Sequence, residues 1–363
     1  MPIKSIFEKF DTVGTPGTIE PYGNGHINDT YLVTAEDGGA LVRYILQRVN
    51  TNVFKKADVL MNNFAAVTEH LKSKVAALGG DVARECLSLV PTKSGELYLV
   101  TEDGDYWRLL HYIEKNVCYD KVERPEQFYE SAVAFGNFQR LLSDFPIDKI
   151  EETITNFHNT EDRFNNLLLA VEADAVGRLD SCRSEVEFAM ERRDFCTIFE
   201  RAYAEGRLPK RVTHNDTKLN NILFDLETGR PICVIDLDTV MPGYAVNDFG
   251  DSIRFGANTA AEDERDLSKV LFDMELYELY VKGFIEGAAG SLTDAEIEFL
   301  PYAAKMMTLE CGMRFLTDHL SGDTYFKIHR ENHNLDRARN QFKLVSEMEK
   351  HFDEMIEITR KYK

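Results

Sequence analysis

"THNDTKLNNILFD", Thr213 to Asp225, gathers two Asp, three Asn, a Lys and a His and then turns apolar at Ile222-Leu223-Phe224. Asp216 is followed two residues later by Lys218 and five later by Asn221. Fifteen residues beyond Asn221 a second apolar run, "PICVIDLD", reaches Asp236 and Asp238. Asn and Asp favour turns on their own account, because their side chains bond the nearby backbone. Either cluster alone is therefore adequately read as the polar end of a hairpin. Two together, with the apolar "NILF" and "CVID" runs between them, ask for a reading of the whole chain.

At 363 residues the chain has room for two domains, or for one large two-lobed domain. Hydrophobic residues make up 44% and charged residues 29%, the balance of an ordinary globular protein. The 62 acidic against 42 basic residues give a net charge of -20, which disfavours a nucleic-acid backbone or an anionic membrane as a partner. The first twenty residues lack the pattern of a secretory signal, and no run approaches the roughly 18 apolar residues needed to span a bilayer. A soluble, cytoplasmic protein is expected. The six cysteines, Cys86, Cys118, Cys182, Cys196, Cys233 and Cys311, show neither CxxC nor metal-ligand spacing, and are expected to be reduced and structural. No heptad or edge motif asks for a dimer, so a monomer is expected.

From Thr18 to Asn50 the text "TIEPYGNGHINDTYLVTAEDGGALVRYILQRVN" predicts strand, Gly-containing turn, strand, a second turn at Asp37-Gly38-Gly39, and a third strand. A helix follows from Val53 to about Val75, with Val59, Leu60, Phe64, Val67 and Leu71 at three- and four-residue intervals. The runs "CLSLVPT" and "ELYLVTEDGDYWRLLHYIE" complete an antiparallel sheet carrying one helix, a small α+β lobe over residues 1–113. From Pro125 onward helical patterns dominate: "PEQFYESAVAFGNFQRLLSDF", the stretches through Tyr203, Glu262 to Glu286, Asp294 to Leu320, and Leu335 to the end. The second lobe, residues 114–363, is thus mainly helical, with one short β insert around the opening segment. A hinge is placed near Tyr112 to Asn116.

Phosphoryl transfer needs the residue types of the opening cluster. A carboxylate orients and accepts the proton of an attacking hydroxyl, a cation stands near the transferring group, and oxygen ligands hold Mg²⁺. The spacing H-x-D-x-K-x-x-N keeps Asp and Asn in register with the kinase catalytic loop H-R-D-L-x-x-x-N. Asp236 then falls where a second Mg²⁺ ligand belongs.

On these residues, and on "PYGNGHINDTYLV", "RYILQ", "IDLDTVMPG", "DFGDSIRFG" and "ECGMRFLTDHLSGDTYF", the chain resembles the aminoglycoside phosphotransferase and choline kinase superfamily. Within it, the chain looks most like the N-acetylhexosamine 1-kinases. The resemblance implies a two-lobed, protein-kinase-like fold. It also implies ATP- and Mg²⁺-dependent phosphorylation of the anomeric hydroxyl of N-acetylglucosamine or N-acetylgalactosamine. Carried over, it makes Asp216 the catalytic base beside the sugar, with Lys218 close to the γ-phosphate, and Asn221 and Asp236 the metal ligands. Nucleotide contacts are expected at Gly23, Gly25, His26, Asn28, Arg43 and Gln47, and at Tyr112 and Ile113 near the hinge. Arg314, on an otherwise apolar helix, and Tyr325 are expected beside the sugar. His214 is read as a ring bonded to nearby backbone that fixes the loop. Asp238 is either a carboxylate behind the metal ligands or a ligand itself.

The sequence departs from the kinase pattern in two places. "GNGHIN" has Asn28 where a third glycine would complete G-x-G-x-x-G, and the third strand offers Gln47 where a phosphate-pairing Lys or Arg is expected. Arg43 compensates, or Gln47 serves as a neutral donor. The "DFG" of Asp248 to Gly250 does not take the place of the kinase DFG, which Asp236 fills, and Asp248, Asp251 and Arg254 are expected to form an ion-pair network under the loop. Two rivals remain: another small-molecule kinase acting on an aminoglycoside, choline or homoserine, and a nucleotide-binding pseudokinase, suggested by Gln47.

Overall fold

Period-two alternation builds the N-terminal sheet. Strands β1 (Thr15–Pro21), β2 (Asp29–Asp37) and β3 (Ala40–Val49) pair antiparallel in sequence order. The β2–β3 register closes at Asp37 opposite Ala40, a two-residue loop in which Gly38 and Gly39 take φ of 57° and 88°. A residue with a Cβ adopts that pair of angles only under strain, which is why the loop is Gly-Gly. The computed structural model describes residues 2–23 and 27–363. Strand β6 (Tyr106–His111) lies against β3 and also pairs with β4 (Leu89–Val90) and β5 (Leu99–Val100).

One sheet face buries Val33, Ala35, Tyr44, Leu46, Trp107 and Leu109 against Ile6 and Phe7 of helix α1 (Ile3–Phe7) and against Phe10. The opposite face carries Gln47, Val49 and Arg108 and is covered by α2 (Ala57–Ala77), where Val49 packs with Leu60 and Met61. Helix α3 (Val82–Glu85) is capped by the Asp81 carboxylate, which accepts from the Ala83 N–H. Strand β7 (Asn116–Val117) joins β9 (Ile222–Asp225) and β10 (Pro231–Val234) in a small sheet of order β10-β9-β7. Together Met1–Val117, Asp144–Thr155 and Leu223–Met241 make one compact unit.

The second unit comprises Cys118–Ser143, Asn156–Ile222 and Pro242–Lys363. Its helices are α4 (Pro125–Leu141), α5 (Thr160–Ala173), α6 (Arg183–Met190), α7 (Ile198–Ala204), α8 (Ala245–Gly256), α9 (Met274–Ala288), α10 (Asp294–Leu320), α11 (His333–Lys350) and α12 (Phe352–Tyr362). The short pair β8 (Arg211–Thr213) and β11 (Met241–Gly243) interrupts them. The helix expected from Glu262 begins only at Met274. There the Asp273 side chain accepts from the Leu276 N–H and caps it, while 258–272 forms a loop closed by an Asn258–Phe272 bridge.

Two close approaches set this unit. A Cβ on Gly287 of α9 would stand 2.3 Å from the Val133 carbonyl of α4, and one on Gly250 of α8 would stand 2.3 Å from the Ala303 carbonyl of α10. Only hydrogen fits at these positions, so α8 lies directly on α10. The start of α10 carries a capping box, Thr293 with Glu296, and the same Glu296 receives the Arg211 guanidinium from β8. Among the described residues all six cysteines are free, and no helix is long and apolar enough to cross a membrane.

Candidate active site

In the second unit the segment after β8 is suspended from α8 by backbone hydrogen bonds. The buried Asp248 carboxylate accepts from the His214 N–H at 2.9 Å, the Asn215 N–H at 2.7 Å and the Gln139 side chain at 2.6 Å. Asp251 accepts from the Thr217 N–H at 3.0 Å and is held in turn by Arg254, which also binds Glu262 at 2.7 Å. The Asp248 and Asp251 carboxylates therefore hold up the loop. The His214 ring is fully buried, edge-on to Phe135 and Phe138, and its Nδ1 accepts from the Asp216 N–H at 3.3 Å. Asn215 sits at φ 66°, in the left-handed region that Asn tolerates better than most residues. A non-glycine residue held there directly before Asp216 gives the loop a fixed, unusual path.

That path leaves the Asp216 side chain about one quarter exposed, with the Lys218 ammonium 2.7 Å from Oδ1. Asn221, in a 3-10 turn leading into β9, donates its amide N–H₂ to the Asp216 carbonyl at 2.7 Å and to Oδ2 at 3.2 Å. Burial works against the Asp216 charge, but the Lys218 ammonium outweighs it, and the carboxyl is held below its usual range. Lys218 is pushed up by the same partner. Asp216 is therefore ionised at neutral pH. The Asn221 amide nitrogen is used in these bonds, and its oxygen makes none among the described residues; an amide oxygen suits a hard divalent cation. Among the described residues no group of three or more His, Cys, Asp or Glu gathers to hold a metal. A Mg²⁺ site made of one amide, one carboxylate, phosphate oxygens and water needs no such group.

Behind the loop lies a pair that the sequence did not suggest. The His158 Nε2–H donates to the Asn215 carbonyl, 2.9 Å away, and its Nδ1 lies 2.8 Å from Glu310 of α10. Thr160 supplies a second bond to Glu310 at 2.7 Å. Burial alone would lower His158, but the Glu310 carboxylate prevails and raises it, while Glu310 itself is held down by the histidine against the opposing effect of burial. His158 lies far upstream in "NFHNTED", with no local signal. Glu310 was visible only as a carboxylate on an apolar helix face.

A pH effect follows. The His158 contribution to stability is complete below its ordinary value of 6.5 and is lost as pH rises through the higher folded value. The Glu310 contribution is complete above its ordinary 4.5 and is lost as pH falls through the lower folded value. The melting-temperature gap between wild type and His158→Gln is therefore expected to be widest near pH 5–6 and to narrow toward pH 9. A gap unchanged over that range would show that the imidazolium contributes nothing.

One turn beyond Glu310 on α10 stands Arg314. Its guanidinium lies between two phenyl rings, 5.5 Å from Phe157 and 5.6 Å from Phe326, and makes no ion pair among the described residues. Phe157 precedes His158, so the ring beside Arg314 and the support of the Asp216 loop belong to adjacent residues. Arg163 reaches the Phe157 carbonyl at 2.9 Å. Asp318 shapes the neighbouring loop by accepting the N–H groups of Thr324, Tyr325 and Phe326 at 2.8–2.9 Å, and leaves Tyr325 63% exposed.

In the first unit Gly23 takes φ 78°, while Gly25 and His26 lie outside the described residues. The Asn28 side chain is fully engaged: Oδ1 accepts the Asn50 N–H at 2.9 Å and Nδ2 donates to Asp238. Arg43 stands at an exposed edge, ion-paired with Glu114 and 4.5 Å over the Tyr112 ring. Ile113 is buried, and its carbonyl accepts from Asn116. Gln47 points inward, donating to Thr30 at 3.1 Å and accepting from Arg108 at 2.9 Å. Asp236 adopts φ 58°, ψ 57°, and begins the 3-10 turn Leu237–Thr239. Asp238 gives one carboxylate oxygen to Arg108 and the other to Asn28, a role behind the turn that leaves neither oxygen unbonded. Arg108 went unremarked in the sequence. Its signal was an arginine inside the apolar run "YWRLLHY".

The profile of the phosphotransferase enzyme family matches residues 18–280, well over half of the chain. The chain belongs to the phosphotransferase enzyme family. Its mixed α+β, protein-kinase-like fold is shared with solved structures. An aminoglycoside phosphotransferase from Alicyclobacillus acidocaldarius aligns with a TM-score of 0.65 at 13% identity, covering 99% of this chain and 97% of that one. A microcompartment-associated aminopropanol kinase aligns at 0.58 and 16% identity, covering 98% of each chain. Choline kinase from Cryptosporidium parvum gives 0.55 and 14%, covering 95% and 92%. At such identities the likeness is one of fold.

Proposed function

We propose that this phosphotransferase is a small-molecule kinase that transfers the γ-phosphoryl group of ATP to the anomeric hydroxyl of an N-acetylhexosamine, N-acetylglucosamine or N-acetylgalactosamine, giving the sugar 1-phosphate. The observation that carries the reading is Arg314. A guanidinium flanked by Phe157 and Phe326 that makes no ion pair among the described residues suits a neutral acceptor rich in oxygen. It can donate to an amide carbonyl or hydroxyl while the ring faces meet the apolar faces of a pyranose. A cationic acceptor such as choline or an aminoglycoside would meet like charge there.

In this reading Asp216 orients the attacking hydroxyl and takes its proton, a role that its ionised state and its place beside the Lys218 ammonium support. Lys218 limits charge build-up beside the transferring group. Asn221 and Asp236 are assigned to Mg²⁺, which when bound neutralises phosphate charge. The chain's own part is positioning and fixed electrostatics: Asp248 and His158 hold the loop so that Asp216 need not reorganise during the reaction.

Arg314→Ala is expected to raise the sugar KM by about 10-fold or more, the loss of a charge-assisted hydrogen bond, with the ATP KM changed less than about 2-fold. An unchanged sugar KM would remove Arg314 from the acceptor site. Measuring ADP release with N-acetylhexosamines, plain hexoses, choline, homoserine and kanamycin tests the substrate class. Preference for a cationic acceptor would replace this reading with that of an amino-alcohol or aminoglycoside kinase.

A further inference from the structure

Kinases place a lysine on the third strand and pair it with a glutamate of the following helix. Here that strand offers Gln47, and α2 offers the ring of Phe64. The cation stands one strand over. Arg108 on β6 lies directly opposite Gln47 in the β3–β6 register, with its guanidinium 4.3 Å over Phe64. Its carboxylate partner is Asp238, two residues past Asp236, and the pair is 1% and 2% exposed.

A charge pair so deeply buried is costly unless its remaining groups are satisfied. They are satisfied by residues with a second use. Thr30 accepts from Gln47 Nε2, which turns Gln47 Oε1 toward the Arg108 Nε–H. Asn28 donates to the second oxygen of Asp238 and accepts the N–H of Asn50. The end of the Gly23-containing hairpin, strands β3 and β6, and the 237–239 turn thus close on one carboxylate. Asp236 meanwhile holds a left-handed backbone, φ 58° and ψ 57°, that a non-glycine residue keeps only when its surroundings impose it.

We propose that Arg108 is a positioning residue for the metal–nucleotide site. By fixing Asp238 it imposes the backbone turn that presents the Asp236 carboxylate to a divalent cation, and so takes over from the absent strand lysine through a neighbouring carboxylate. The inference rests on the phosphotransferase reading only for the binding of metal–nucleotide, and on no particular acceptor.

Arg108→Met alone strands a buried carboxylate and threatens folding. The informative variant is therefore Arg108→Met/Asp238→Asn, which removes both charges and leaves an amide oxygen to accept from Asn28. Arg108→Lys serves as the charge-conserving companion. ADP binding is measured by calorimetry with and without Mg²⁺, and Mn²⁺ binding to the ADP complex by electron paramagnetic resonance, with no acceptor present. In the double variant, metal affinity in the ADP complex is expected to fall about 10- to 100-fold, the usual effect of removing a group that orients a metal ligand. Metal-free ADP affinity is expected to stay within about 2-fold, and Arg108→Lys to recover part of the loss. Metal affinity equal to wild type, or equal weakening with and without metal, would overturn the inference. Wild-type protein that binds Mn²⁺ with ADP yet phosphorylates no sugar would remove the sugar reading and leave this one standing.

Discussion

Asp216→Asn is expected to lower kcat by about 10³-fold or more, the upper part of the range for loss of a positioned general base, while MgADP affinity changes little. The substitution keeps the side chain's shape. What it removes is the proton acceptor and the anion that faces Lys218 at 2.7 Å. With its partner neutral, the Lys218 ammonium loses the interaction that raises its pKa most, and turns toward other acceptors. The loop itself should persist, because it is held by bonds from Asp248 and Asp251 to backbone N–H groups and not by the Asp216 carboxylate. A single-turnover measurement separates chemistry from binding. Wild-type kcat in this variant would remove Asp216 as the base.

The second large effect is expected at Asp248, which touches no substrate in this account. Its Oδ2 accepts from both the His214 N–H and Gln139 Nε2, and its Oδ1 from the Asn215 N–H. In Asp248→Asn, either orientation of the amide turns an N–H₂ against at least one of these donors inside a fully buried site. Leaving a buried donor unpaired costs about 1–3 kcal/mol. With the repulsion added, a loss of about 3–5 kcal/mol is expected, the scale for breaking a buried charged network. Chemical denaturation checks the stability. Because Asn215 and Asp216 follow from the same anchor, kcat should fall as well, even at temperatures where the variant is folded. Stability within about 1 kcal/mol of wild type would mean the loop is carried by other contacts.

Much of this architecture could be read from the chain because its signals are local. The Gly38-Gly39 hairpin follows from a two-residue loop that demands positive φ, and α10 begins at its capping box. Asp216, Lys218 and Asn221 stand together because five residues of loop and one 3-10 turn bring them together. The parts that could not be read depend on partners distant in sequence. His158 meets Asn215 and Glu310 across 57 and 152 residues, and Arg108 meets Asp238 across 130. No spacing rule announces such pairs; they become visible only when the fold brings them together. The helix expected from Glu262 failed for a local reason, since its start is an Asp273 N-cap inside a stretch whose other acidic residues also suit a helix surface. Gln47 marked a gap in the kinase pattern, but only the register of β3 with β6 showed which residue stands beside it.

Phosphorylation at the anomeric oxygen is read from the product itself. The protein is incubated with MgATP and N-acetylgalactosamine or N-acetylglucosamine, and the product is followed by ³¹P and ¹H nuclear magnetic resonance. ADP is expected together with a sugar phosphate whose phosphorus couples to the anomeric proton. Phosphate on another sugar hydroxyl, or turnover only with choline, homoserine or an aminoglycoside, would contradict it.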